Sequence, residues 1–295
     1  MKKIFFIAAM MFTSGSAFSA TQPAAPTPAP PVSSSAQPVT ISAVKSLEWN
    51  RKAQTYTARQ DVIASQGAVN IHSDTLVAHY NDNNGGTDIK TLEAEGHVAI
   101  HAAPYVATGD HAVYNVKTGN ATLTGKDLKI TSDDSILTAQ DRIEFTGSEN
   151  KMTAIGQPVA TKGDDTLTAD SMSAFFTKDA AGKLTANKIT SHGHVTIKTP
   201  TETATGDEAV YDIPSQKAVL SGKVRILQDK NWLEGTRADV DMVTGISRLS
   251  GAGNTATEGR VTGTFYPQTK EDSKPADTKP PGQKTEEQKT QGQKN

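Results

Sequence analysis

Apolar and polar residues alternate in short runs along most of this chain. Val98 and Ile100 alternate with Ala99 and His101, and Val195 and Ile197 with Thr196 and Lys198. Ala112, Tyr114 and Val116 alternate with Val113 and Asn115, and Ala209, Tyr211 and Ile213 repeat that pattern. A period of two puts one set of side chains on one face of a sheet. The runs are rich in Thr, Val and Ile. Turn signals such as Asn83-Asn84-Gly85-Gly86 and Thr118-Gly119-Asn120 separate them. No stretch from Val39 to Tyr266 sustains a helical period, so the pattern predicts an all-β, antiparallel fold.

The strand pattern is itself repeated. "ATGDHAVY" at Ala107–Tyr114 returns as "ATGDEAVY" at Ala204–Tyr211, an offset of 206 − 109 = 97 between the glycines. The same offset links Gly96-His97-Val98 to Gly193-His194-Val195, and Leu123-Thr124-Gly125 to Leu220-Ser221-Gly222. One register joining three patches marks an internal duplication, with halves at about 47–150 and 151–252. A finer period lies beneath it: glycines 67, 96, 125, 156, 193 and 222 each precede an alternating run, at intervals of 29, 29, 31, 37 and 29 residues. Spacing of that order is a mark of stacked supersecondary units. Two strands per unit predict about a dozen to sixteen strands. The glycines are expected at bulges or bends where a strand passes from one sheet to another.

Composition then bounds the rest. Lys2 and Lys3, the apolar run Ile4 to Phe12 and the small residues up to Ala20 have the layout of a secretory signal peptide, so residues 1–20 are expected to be removed. The apolar run is shorter than the roughly 20 residues that span a bilayer. Residues 21–38 are rich in Pro, Ala, Ser and Thr and read as a linker; residues 267–295 read as a polar, disordered tail. The structured part is therefore 39–266. The absence of cysteine removes disulfides, thiol catalysis and a thioether lipid anchor. A formal charge of −2 argues against a nucleic-acid partner.

The repeated Gly-x-x-Ala-x-Tyr, followed about ten residues later by a Leu-Thr/Ser-Gly strand, resembles the lipopolysaccharide-export bridge proteins, the LptA/OstA-like family. Gly109, Ala112, Tyr114 and Leu123 carry it in the first copy, and Gly206, Ala209, Tyr211 and Leu220 in the second. "NWLEGTRADVDMVTGISRLSG" at Asn231–Gly251 is similar to the closing strands of that fold. The resemblance covers about Leu47 to Gly251. It implies an antiparallel β-jellyroll, a V-shaped sandwich open at both ends, whose apolar interior receives lipid A acyl chains. It also implies a periplasmic transport role and not an enzyme, with no cofactor. The implied partners are lipopolysaccharide, an inner-membrane export complex, an outer-membrane translocon and further copies of itself paired head to tail through edge strands.

Alternation and repetition together select the inward face. In the first half it is expected to hold Val98, Ile100, Ala112, Tyr114, Val116, Leu123, Ile143 and Phe145. In the second half it is expected to hold Val195, Ile197, Ala209, Tyr211, Ile213, Val224, Ile226, Val240 and Met242. At the 97-residue offset Ile143 maps onto Val240 and Phe145 onto Met242. Any β-sandwich needs such a core, so alternation alone favours plain packing; the resemblance turns the same surface into a lipid groove. Lys198, Lys223 and Arg225 are candidate rim positions for phosphates. The histidines read as solvent-facing, since His97 and His101 would stand about 13 Å apart on a strand, too far for one metal ion. His192 and His194 would lie about 7 Å apart on one face, near enough to chelate weakly. Asp133-Asp134 and Asp164-Asp165 fall where turns are expected. Two rivals remain at this point: a parallel β-helix enzyme acting on polysaccharide, and a membrane-anchored OstA-like component of the same machine.

Overall fold

The computed structural model describes residues 38–83, 86–178, 184–251 and 260–266. The expected leader, nearly all of the linker, the tail and the Asn84-Gly85 turn lie outside the described residues. Within them the elements are strands, twenty in a single sheet, and each pairing is antiparallel. An antiparallel meander is not a parallel β-helix, so that rival architecture is overturned. The fold is the expected all-β jellyroll, rolled up from consecutive hairpins.

The long strands run back and forth in chain order. β1 (Thr40–Ser42) and β2 (Ser46–Asn50) both pair with β3 (Thr55–Gln66), which is followed by β4 (Val69–Asn83), β5 (Gly86–Ala102) and β6 (Tyr105–Asn115). Each pairing from β3 to β6 slips register at the corner, for example between Glu95 and Val98, and there the strand bends; β4 and β5 slip a second time between His79 and Tyr80. The bend divides the sheet into two arms that face each other. In the middle of the molecule the corner cuts the strands outright. One arm continues from β6 through β7 (Asn120–Thr124), β10 (Arg142–Thr146), β11 (Lys151–Ile155) and β14 (Ser171–Lys178). The other continues through β8 (Leu128–Ser132), β9 (Ser135–Ala139), β12 (Val159–Lys162) and β13 (Asp165–Thr168). Both arms rejoin at β15 (Leu184–Lys198) and proceed through bent β16 (Glu202–Asp212), β17 (Lys217–Gln228) and β18 (Asn231–Asp241). β19 (Ile246–Ser250) ends the first arm and β20 (Thr262–Thr264) the second. The strands exceed the expected number because cutting at the corner makes two strands of one.

The repeated Gly-His-Val is the corner. Gly96 and Gly193 adopt φ of 75° and 74°, followed by His97 and His194 at 46°. A side chain on either glycine would collide with the carboxylate of Asp74 or Asp170. Those carboxylates instead hold the histidines: His97 Nδ1 lies 2.7 Å from Asp74 Oδ2 and His194 Nδ1 2.8 Å from Asp170 Oδ2. The Val98 and Val195 that follow are only 1% exposed. His194 therefore sits in a bulge and not on the strand face expected for it beside His192, which turns to Glu208 at 3.6 Å.

The 97-residue offset holds through β5 and β6 and fails on either side of them: before β5 it is 171 − 75 = 96, since Thr75 pairs with Glu95 as Ser171 pairs with His192. Ile130 pairs with Ala107 as Ile226 pairs with Ala204, an offset of 226 − 130 = 96. Ile143 pairs with Leu123 as Ala238 pairs with Leu220, an offset of 238 − 143 = 95. The first half carries one extra residue at each of two corners, near Lys126 and Gln140, and these are the corners that separate β7 from β8 and β9 from β10. The counterpart of Ile143 is thus Ala238 and that of Phe145 is Val240, not the Val240 and Met242 of the sequence expectation. A shift of two residues keeps a side chain on the same face, so Val240 and Met242 still turn inward.

Candidate functional site

Cross-strand neighbours build apolar rows that run the length of each arm. In the first arm the row beside the corner passes Ala58, Leu76, Ala94, Ala112, Leu123, Ile143, Ala154, Met172, Ser191, Ala209, Leu220 and Ala238. The next row toward the open side contains Tyr114, Phe145, Tyr211 and Val240. In the second arm Val98, Val195 and Val224 lie at the corner, each opposite a glycine. Ile100, Ile197 and Ile226 form the row beyond it. Large and small side chains are mixed along these rows, which lets the two arms interdigitate.

All seventeen expected inward residues pack into three apolar clusters between the arms. Val116, Ile213 and Met242 lie one residue past their strand ends, where their N–H groups donate to Lys90, Asn187 and Gln216 carbonyls. The halves differ in what remains open. In the first half the corner is tightly buried: Val98, Ala112 and Leu123 are at most 2% exposed. The Tyr114 hydroxyl crosses to the other arm and donates to Gln66 Oε1 at 3.0 Å. Tyr105 of the second arm meets Phe176 of the first edge to face, with centroids 5.5 Å apart. Burial pushes the Tyr105 hydroxyl up to about 12.

Among the described residues, clefts open beyond that closure. One lies in the second half and has about 70 Å³ of room for water. It brings together Ile197, Ala209, Tyr211, Ile226, Val240 and Met242 from the expected set. Another lies in the middle, between Ile130, Leu137, Met152, Leu167, Met172 and Phe176, and contains none of the expected residues. Its strands are short and fall between the two copies, so repetition carried no signal there; the alternation in "SMSAFF" did.

Toward the open side of the second arm the lining turns polar. Lys162 is buried at 8% exposure and its Nζ lies 2.8 Å from Asp134 Oδ2, which holds that carboxyl below its ordinary range. Burial holds the Asp165 carboxyl above its ordinary range. Lys162 is the basic side chain turned into the lip. Of the proposed rim positions, Lys198 is exposed, Lys223 donates its backbone N–H to Asp207 at the outer corner, and Arg225 faces out against Glu234 and Trp232.

Residues 40–151 and 141–246 each match the family described as LptA/(LptD N-terminal domain) LPS transport protein. The chain belongs to that family. Two matches in tandem agree with the duplication, and they overlap at β10 and β11, in the middle of an unbroken sheet. An uncharacterized protein of Rhizobium meliloti (strain 1021) is 28% identical over 150 residues, covering 49% of this chain and 77% of that protein. The crystal structure of LptH, the LptA homologous periplasmic component of the conserved lipopolysaccharide transport device from Pseudomonas aeruginosa, aligns over 78% of this chain. That alignment covers 96% of the LptH chain at 13% identity and a TM-score of 0.20. Membership of the LPS transport family is a transport and not an enzyme assignment.

Proposed function

We propose that this chain carries lipopolysaccharide across the periplasm, bridging an inner-membrane exporter and an outer-membrane translocon, with lipid A acyl chains held between the two arms. The observation that carries this reading is the set of inward apolar rows continuing from β3 to β18. Burying a methylene gains about 0.8 kcal/mol without any directional contact. Several acyl chains would leave water readily, and a smooth apolar surface would hold none of them at one fixed point.

The same reading includes head-to-tail assembly. The sheet ends at β1 and β2 on one side and β19 and β20 on the other, with no further strand among the described residues. Leu47 and Trp49 at one edge and Ile246 at the other are half exposed or more. Open strand edges of this kind recruit another chain. A photo-crosslinker at Tyr114 or Tyr211 should capture lipopolysaccharide, while one at Asn115 or Asp212 should not. Equal capture at inward and outward positions would show that the lipid does not travel between the arms.

A further inference from the structure

The second-half cleft is apolar except for three side chains. Ser191, Glu202 and Tyr211 all line it, and they are 1%, 6% and 6% exposed. Ser191 Oγ, Glu202 Oε1 and the Tyr211 hydroxyl have no hydrogen-bond partner among the described residues. An unpartnered buried polar atom is costly, and native folds rarely keep one without a use. Here three share one cleft. Glu202 is also not a floppy lip residue. Its N–H donates to Thr199 Oγ1 at 3.1 Å and its carbonyl accepts the Thr199 N–H at 2.9 Å, so a tight turn points the side chain inward.

The fold does not require these groups. At the 97-residue offset, which holds through β5 and β6, Ser191 corresponds to Ala94, Glu202 to Tyr105 and Tyr211 to Tyr114. Ala94 has nothing to satisfy. Tyr114 has a counterpart hydroxyl but hydrogen-bonds Gln66; Gln66 pairs with Val69 across a turn as Lys162 pairs with Asp165, so the matching position is Lys162, whose Nζ is held by Asp134. The two copies share one plan, and the second differs from the first in a serine, a carboxylate and a tyrosine hydroxyl that lacks the partner Tyr114 has.

We propose that this cleft recognises an acyl chain that bears a hydroxyl group, with Ser191, Glu202 and Tyr211 as the groups that bind the hydroxyl. The proposal rests on the lipid-carrying reading above and adds its specificity. A hydroxyl on an acyl chain donates one hydrogen bond and accepts others, which suits a cleft whose polar lining is a carboxyl and two hydroxyls. A plain hydrocarbon chain would leave all three atoms unpaired. Burial holds the Glu202 carboxyl above its ordinary range, in keeping with a site that accepts a neutral polar group and not a cation.

The test compares binding of 3-hydroxytetradecanoate and tetradecanoate to the full-length secreted chain by titration calorimetry below their micelle concentrations. Both probes carry the same carboxylate, so the difference isolates the hydroxyl. The hydroxylated chain should bind about tenfold more tightly. Ser191→Ala, Glu202→Gln and Tyr211→Phe combined should remove that preference while leaving tetradecanoate binding unchanged or stronger. These changes remove unpartnered atoms or keep shape, and circular dichroism of the triple variant checks that the sheet persists. Ala94→Ser in the first half should alter neither affinity. Equal binding of the two probes by the unmodified chain would overturn the hydroxyl proposal while leaving the lipid-carrying reading intact. Preference surviving in the triple variant would overturn the assignment to this cleft. Binding of neither probe would overturn both readings.

Discussion

Leu123 lies across the backbone of Gly109, so close that a Cβ there would sit 2.9 Å from the leucine Cγ and Cδ1. Gly206 and Leu220 repeat the relationship, at 2.8 Å to Cδ1. These contacts explain why Gly-Asp-x-Ala-x-Tyr and Leu-Thr/Ser-Gly recur together: the glycine makes room at the corner for the leucine that fills it. Gly109→Ala and Gly206→Ala should each destabilise the protein by about 1–3 kcal/mol through overpacking. Gly163→Ala, with nothing within 4 Å of its added methyl, should cost only the left-handed backbone penalty of about 1 kcal/mol. Urea unfolding of the three variants checks the order; an equal or larger loss at Gly163 would contradict it.

Tyr114 and Tyr211 occupy the same place in the two copies and should respond differently to loss of the hydroxyl. Tyr114→Phe breaks the bond that ties the arms together through Gln66, at a cost of about 0.5–1.5 kcal/mol. Tyr211→Phe removes a hydroxyl with no partner, whose titration burial has pushed up to about 12, and should leave stability unchanged or slightly raised. Thermal melts of the two variants without lipid decide this, and matching losses would show that Tyr211 has a partner after all.

Much of this arrangement was legible in the chain. Period-two alternation fixes a facing without reference to distance, so Val98, Tyr114, Val195 and Tyr211 could be turned inward from the sequence alone. The corner glycines were legible as bends for the same reason. Their partners were not. Asp74 and Asp170 stand 23 and 24 residues from the histidines they hold, a relationship set by sheet pairing. The extra residues near Lys126 and Gln140 were also hidden, because two single insertions sum to a shift that preserves facing. The middle cleft escaped because its lining, Leu137, Met152 and Met172 among it, comes from short strands outside the exact repeats at the 97-residue offset. Lys162 was invisible as a lip residue, since its ion pair is with Asp134, 28 residues away beside the neighbouring strand β9.

Glu202 should make stability depend on pH. Burial raises its folded-state pKa above the ordinary glutamate value of 4.5, so the folded state favours the protonated acid. That preference supports folding fully below the unfolded pKa and is lost as pH rises through the folded value. Glu202→Gln should therefore match the unmodified protein near pH 4 and become the more stable of the two toward pH 8. Paired urea titrations across that range measure the difference. A constant offset would mean that the carboxyl is solvated in the folded protein.

Assembly through the sheet edges predicts a period-two response to proline. β19 pairs with β18 on one side and has no described strand on the other. In an antiparallel strand alternate N–H groups point to opposite sides, so every second residue from Ile246 to Ser250 aims its donor at the open edge. Proline at those positions removes a donor that only a neighbouring molecule would use, and should shorten oligomers without lowering the melting temperature. Proline at the intervening positions removes a ladder bond to β18 and should lower the melting temperature instead. Sedimentation velocity and thermal melts across the five positions separate the two sets. Oligomers that persist through every substitution, or a strict monomer at high concentration, would show that β19 is not an assembly edge.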